Sequence, residues 1–284
     1  MAAVTVRPRR SALFLPASNP RAIAKARTLP CDAVVLDLED AVAPDAKVAA
    51  RAAAVAAIGS FGARETVVRV NGLGTPWAEG DLAAVAAAKP DAVLLPKVEL
   101  PAELAAARAI LGDGIPLWAM VETSRAVLRL DALAEGGGLY GLAALVAGTN
   151  DLASALRCTP GRERTPLLPA LATIVMAARA HGLVALDGVC NALDDPARVA
   201  AECAQGAAFG FDGKTLIHPG QIDAANAAFT PDPATVAHAR AVIAAFADPA
   251  AASTGAIRVN GRMVERLHLI EARRVVALAE AAGA

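Results

Sequence analysis

Eight short apolar runs, separated by segments of helical character, each give way at their C-terminal ends to Gly, Pro or ionisable residues. The runs are Ala12–Leu15, Ala33–Leu36, Thr66–Val70, Ala92–Leu95, Ile115–Val121, Ala143–Ala147, Val184–Leu186 and Ala207–Phe211. After them come Asp37-Leu38-Glu39-Asp40, Asn71, Lys97, Glu122, Asn150-Asp151, Asp187 and Asp212-Gly213-Lys214, with Arg69 inside the third run. Continuous apolar runs of this length suit strands buried on both faces, as in parallel sheets covered by helices. Eight strand and helix pairs predict an α/β chain closed into a (β/α)8 TIM barrel. The chain has 284 residues, which suits one barrel of about 250 residues and an extension. We place the barrel at residues 1–230 and a C-terminal helical extension or lid at 231–284. Loops that follow barrel strands build the active site, so ionisable residues there read as chemical groups.

Composition narrows the partners. With 27 Lys and Arg against 28 Asp and Glu, the formal charge is −1, which offers no basic field for nucleic acid and favours a small-molecule site. Cys31, Cys158, Cys190 and Cys203 show no Cys-x-x-Cys spacing, so reduced thiols of a cytoplasmic protein are expected. Arg7, Arg9 and Arg10 precede an apolar stretch in the manner of a signal peptide, but Pro16 cuts it short. No later segment approaches a membrane span, and a soluble chain is expected.

Helices are expected between the runs, among them Pro20–Arg27, Ser124–Glu135, Asp195–Gln205 and Pro219–Ala227, several opening on Pro or Asp and closing near Gly. Gly136-Gly137-Gly138 follows a helix and is read as its cap and loop. The segment Asn150–Thr165 reads as a long loop with Arg157, Arg162 and Arg164, placed to cover the site in part. In the tail, Ala234–Ala247 is followed by a Pro, Ala, Ser and Gly stretch over Asp248–Gly255 and an amphipathic helix from about Met263 to Ala281. A joint before an amphipathic helix suggests docking on the barrel or on another subunit.

Glu122 and Asp151 end successive strands and so share the barrel mouth. Two hard carboxylates, with other positions left to water and substrate, suit Mg2+ or Mn2+ better than Zn2+; the structural alternative is that they cap the following helices. Arg69 lies in an apolar strand and must meet carboxylates or an anionic ligand. Asp37, Glu39 and Asp40 are its internal candidates, and a buried ion-pair network and an oxyanion clamp are both compatible with it. Arg21 and Lys25 share a helical face and read either as a solvated pair or as a phosphate contact. Lys97 could be a Schiff-base lysine, although no neighbour to lower its pKa is evident. For His218, local capping is the default.

The motifs together resemble the citrate lyase β-subunit-like family, which includes malyl-CoA and citramalyl-CoA lyases. The resemblance runs through Arg10–Pro16, Pro20-Arg21 with Lys25, Asp37–Pro44 with Lys47 and Arg51, Arg69-Val70-Asn71 and Leu95-Pro96-Lys97. It continues in Val121-Glu122-Thr123, Gly148–Leu152, and Gly210–Lys214 with Ile217-His218-Pro219 and Gln221-Ile222. It implies Mg2+ on Glu122 and Asp151, a 2-oxo acid chelating that metal, Arg69 at the reacting carbonyl, and Arg21 and Lys25 near coenzyme A. It also implies acyl-CoA and 2-oxo acid substrates and a homotrimer or hexamer. The implied reaction is Mg2+-dependent cleavage or formation of a β-hydroxyacyl-CoA such as malyl-CoA or citramalyl-CoA, with thioester hydrolysis as a variant. A metal-dependent pyruvate aldolase and a non-catalytic barrel subunit are the alternatives. In the family, a tail Gly-Lys-Met-Ile/Val-Asp supplies a proton-transferring Asp to a neighbouring subunit's site. Here the tail reads Gly261-Arg262-Met263-Val264-Glu265, which makes Glu265 the expected acid with one methylene more.

Overall fold

The computed structural model describes residues 7–135, 137–248 and 255–283. Eight parallel strands close into a barrel in sequence order: β1 Ser11–Pro16, β2 Ala33–Asp37, β3 Glu65–Arg69, β4 Ala92–Leu95, β5 Leu117–Val121, β6 Leu142–Ala147, β7 Val184–Asp187 and β8 Gly213–Leu216. β1 pairs with both β2 and β8. Each barrel strand is followed by helix, and closure leaves the barrel sheet no edge.

Alternation along the strands decides what fills the barrel. Ala12, Ala33, Val35, Val67, Ala92, Leu94, Trp118, Met120, Ala144, Val146 and Leu186 form one buried cluster, while Val34, Val68, Val93 and Leu145 alternate with them and are equally buried. Strands covered on both faces therefore lose the polar alternation of a half-exposed sheet. Near the strands' N-terminal ends the guanidinium of Arg9 lies 5.3 Å from the centroid of Trp118 and grips Glu65 at 2.6 and 2.8 Å. Arg10 pairs with Asp32 at 2.8 Å. Two of the arginines that resemble a leader's basic start thus serve the barrel floor; residues 1–6 of that segment lie outside the described residues.

Local chemistry sets the helix ends. Asn19 accepts from the amides of Arg21 and Ala22 to start Pro20–Ala26, and Asp195 accepts from Arg198 to start Pro196–Phe209. That second helix corrects the expected eighth strand at Ala207–Phe211. Residues 207–209 are its last turn, stopped by Gly210 at φ 94°, and the strand begins at Gly213. An apolar run of this length is ambiguous between strand and buried helix, and the true strand hid behind the polar Lys214 and Thr215. The expected helix Ser124–Glu135 is two, Ser124–Leu128 and Leu130–Glu135. The expected loop at Asn150–Thr165 begins inside a short helix, Thr149–Ala155. Gly137-Gly138 enter a helical turn, Gly137–Tyr140, and Gly136 lies outside the described residues.

By its internal contacts the chain divides into two compact units, with Arg9–Asn226 forming the barrel unit and the chain from Ala227 onward in the other. In the latter, helix Pro233–Ala247 packs on helix Arg266–Ala281 through a core of Val236, Ala239, Val242, Val259, Val264, Ala272, Val275 and Ala279. Between them an antiparallel hairpin pairs β9 Ala256–Val259 with β10 Arg262–Glu265, so the expected helix starts three residues later than Met263. The turn is Asn260-Gly261, both at positive φ, the chemistry of a type I′ hairpin. Most of the expected joint, residues 249–254, lies outside the described residues. Among the described residues all four cysteines are free, and no helix is long and apolar enough to cross a membrane.

Candidate active site

A cavity of about 380 Å3 opens at the C-terminal ends of the strands, lined by Phe14, Pro16, Asp37, Asp40, Arg69, Met120, Gly148, Asp151, Val189 and Ile217 among others. Asp37 and Arg69 are register partners at the ends of β2 and β3, and they form a two-pronged ion pair at 2.7 and 2.7 Å. The third arm of Arg69 reaches Glu39 at 2.8 Å and donates to the sulfur of Met120 at 3.7 Å. Phe14 lies 4.9 Å from its guanidinium carbon. Burial favours the neutral guanidine, but the Asp37 hydrogen bonds and the charges of Asp37, Glu39 and Asp40 prevail and raise its pKa. The buried ion-pair network is therefore present, and the same guanidinium borders the cavity.

Glu122 follows β5 and is buried. One oxygen accepts the main-chain N–H of Lys97 at 2.7 Å, and the other is buried without a hydrogen-bond partner among the described residues. Burial first, then the charges of Asp151 and Glu39, push its carboxyl up to about 7. Asp151 stands in the first turn of Thr149–Ala155, borders the cavity and stays partly exposed. Neither carboxylate caps a helix: Thr123 accepts from Ala126 at the start of Ser124–Leu128, and Gly148 occupies the cap before Asp151. A Cβ on Gly148 would stand 2.6 Å from the unpartnered oxygen of Glu122, so only glycine leaves that oxygen room. An orphaned buried carboxylate oxygen beside a second carboxylate is a donor set that suits a hard divalent cation completed by water.

Lys97 lacks the surroundings of a Schiff-base lysine. Burial lowers its pKa, but the hydrogen bond and charge of Glu39, with Asp40 and Glu122, raise it overall, and an amine nucleophile needs the opposite. Its ammonium sits 2.7 Å from Glu39. Arg21 and Lys25 are exposed on helix Pro20–Ala26, which begins four residues after cavity-lining Pro16, and neither side chain makes an ion pair among the described residues. His218 accepts from the amide of Gly220 at 3.1 Å as a local cap. Of the loop arginines, Arg164 turns inward to Asp187 at 2.8 Å and Arg162 pairs with Asp195 at 2.7 Å. Glu265 ends β10 in the other unit, exposed, with its amide donating to His268 Nδ1 at 2.8 Å.

An eight-stranded barrel with two carboxylates and a paired arginine at its mouth suits a lyase or aldolase. Residues 10–219 match the model of the HpcH/HpaI aldolase/citrate lyase family, and the chain belongs to that family, an enzyme of the carbon–carbon lyase class. It is 46% identical to (3S)-malyl-CoA thioesterase of Cereibacter sphaeroides over 98% of this chain and 96% of the relative. It is 35% identical to the β subunit of citrate lyase of Escherichia coli, over 98% and 95%. Among solved structures, the CitE protein of Mycobacterium tuberculosis in complex with magnesium, acetoacetate and coenzyme A superposes with a TM-score of 0.79 at 32% identity, covering 98% of this chain and 100% of that one.

Proposed function

We propose that this enzyme cleaves, or forms, a β-hydroxyacyl-CoA thioester such as malyl-CoA or citramalyl-CoA, with acetyl-CoA and a 2-oxo acid as the other side of the reaction. The observation that carries the reading is the unpartnered buried oxygen of Glu122 beside Asp151, in the mouth that Arg69 borders. Glu122 and Asp151 would hold Mg2+, or Mn2+, which when bound supplies Lewis-acid polarisation of a substrate oxygen. The magnesium and coenzyme A of the mycobacterial relative support this choice.

The chain's own groups divide the remaining work. In cleavage the hydroxyl proton leaves, the carbon–carbon bond breaks to give the 2-oxo acid, and the thioester enolate takes a proton at carbon. Arg69, locked by Asp37, directs a fixed N–H donor at the oxygen on which negative charge develops. Glu265 is the candidate acid for the enolate, supplied by the second unit of a neighbouring subunit in a trimer or hexamer. Arg21 and Lys25, both exposed, are the candidate contacts for the phosphates of coenzyme A. Phe14, Met120, Val189 and Ile217 give the cavity an apolar wall.

Thioester hydrolysis is the second reading, favoured by the 46% identity to a malyl-CoA thioesterase. Incubation with malyl-CoA and citramalyl-CoA, with Mg2+ and after its chelation, separates the two. Acetyl-CoA with glyoxylate or pyruvate marks the lyase, and free coenzyme A with the intact hydroxy acid marks hydrolysis. Turnover only of free aldehydes with pyruvate would replace both with an aldolase, and no turnover of any would sink the proposal.

Arg69→Lys is expected to keep less than about a tenth of wild-type kcat/KM, a loss above about 1.4 kcal/mol. A point-charge ammonium cannot hold both oxygens of Asp37 and still face the substrate. Near-normal kcat/KM in the lysine variant would reduce Arg69 to a structural ion.

A further inference from the structure

The residue that touches most of the acidic mouth is a cation. Lys97 follows Pro96 at the end of β4 and adopts φ 56°, a left-handed conformation that costs a side-chain-bearing residue energy. That backbone aims its N–H at Glu122 Oε1, 2.7 Å away. Its side chain turns the other way across the mouth, with Nζ 2.7 Å from Glu39 Oε1, 3.7 Å from Asp40 Oδ1 and 4.0 Å from Asp151 Oδ1. One residue therefore engages both candidate metal ligands, one through its main chain and one through its charge.

The charges around it are lopsided. Among the described residues, the side-chain ion pairs of Asp37, Glu39, Asp40 and Asp151 are with Arg69 and Lys97, Glu122 adds a further negative charge, and two prongs of Arg69 are committed to Asp37. Lys97 is half exposed on four flexible methylenes. It is the counter-charge with freedom to move.

We infer that Lys97 is a positioning residue that serves as the resident counter-ion of this mouth and sets its affinity for a divalent cation. The inference rests on the metal reading of Glu122 and Asp151. The ammonium lowers the repulsion among Glu39, Asp40, Glu122 and Asp151 in the metal-free protein, and it opposes a second cation arriving at the same oxygens. On metal binding it withdraws from Asp151 toward Glu39 and Asp40, which it already contacts. The same residue fixes Glu122 through its amide, so the ligand is held in place before the metal arrives.

Metal affinity itself is the test, measured with Mn2+ by calorimetry and electron paramagnetic resonance on the metal-free protein, alongside its melting temperature. Lys97→Met should bind Mn2+ at least about tenfold more tightly and melt lower without metal, because the attraction grows as the neutralising charge is lost. Lys97→Gly, which relieves the positive φ and keeps the N–H to Glu122, should also bind more tightly. Lys97→Arg, which retains the charge, should bind within about threefold of wild type. Unchanged or weaker binding in both neutral variants overturns the inference while leaving the metal site standing. Wild-type binding indifferent to Asp151→Asn overturns the metal reading and this inference together.

Discussion

Glu122→Gln is expected to cut kcat/KM on the proposed β-hydroxyacyl-CoA substrate by about a thousandfold or more, about 4 kcal/mol of transition-state stabilisation. The same change should make the metal-free protein harder to unfold above pH 7. The first effect follows from the donor set, since an amide lacks the charge that a hard cation requires. The second follows from the carboxyl itself. Its folded value of about 7 lies above the ordinary 4.5, so the folded state holds this proton more tightly than the unfolded chain does. Its favourable contribution is complete below about 4.5 and is lost as the pH rises through about 7. The whole gap corresponds to roughly 3 kcal/mol. Glutamine mimics the protonated form and should flatten that dependence. Urea unfolding of both metal-free proteins between pH 5 and 8.5 checks the sign. A variant that kept wild-type turnover would remove Glu122 from the metal, and parallel pH profiles would show that its carboxyl ionises freely.

Asp187→Ala should cost the barrel about 3–5 kcal/mol, the usual result of leaving buried charge uncompensated. Asp187 ends β7, fully buried, between the guanidinium of Arg164 at 2.8 Å and the ammonium of Lys214 at 2.8 Å. Lys214 is itself fully buried, with Glu202 at 3.6 Å and the carbonyl of Gly188 as its other neighbours. Burial pushes the Asp187 carboxyl up, yet the charges of Lys214 and Arg164 outweigh it and hold the carboxyl below its ordinary range. Its contribution is therefore present above the unfolded value and is lost as the pH falls through the lower folded one. Adding Lys214→Met to Asp187→Ala should recover part of the loss, because the stranded ammonium goes with it. Equilibrium denaturation at pH 7 reads both; a loss under about 1 kcal/mol for Asp187→Ala would mean that the cations find other partners.

That network also explains what the sequence concealed. Eight apolar runs announce a barrel because strands covered on both faces are apolar at every position, and seven of them lie on strands. The eighth strand carries Lys214 and Thr215, and nothing local reveals that Asp187 and Arg164 will neutralise the lysine. That Glu122 and Asp151 come together at the mouth is legible in sequence because a barrel turns strand order into a ring of neighbours. In sequence Lys97 reads only as an isolated amine, since its partners Glu39, Asp40 and Asp151 are remote in the chain. A local signal did exist for the tail hairpin in Asn260-Gly261, but the amphipathic pattern running into the last helix obscured it. The inward turn of Arg164 had no such signal.

The stack of Arg9 on Trp118 gives the molecule an optical handle. The chain has two tryptophans: Trp118, fully buried among the apolar side chains of the barrel interior, and Trp77, half-buried with the ammonium of Lys47 5.3 Å from its ring centroid. An indole kept from water emits at shorter wavelength than a hydrated one, so the blue edge of the fluorescence spectrum belongs to Trp118 and its shift to the red tracks entry of water into the barrel. A Trp77→Phe variant would leave that interior ring as the sole indole emitter, reporting from the floor of the barrel while the chemistry proceeds at the opposite end of the strands.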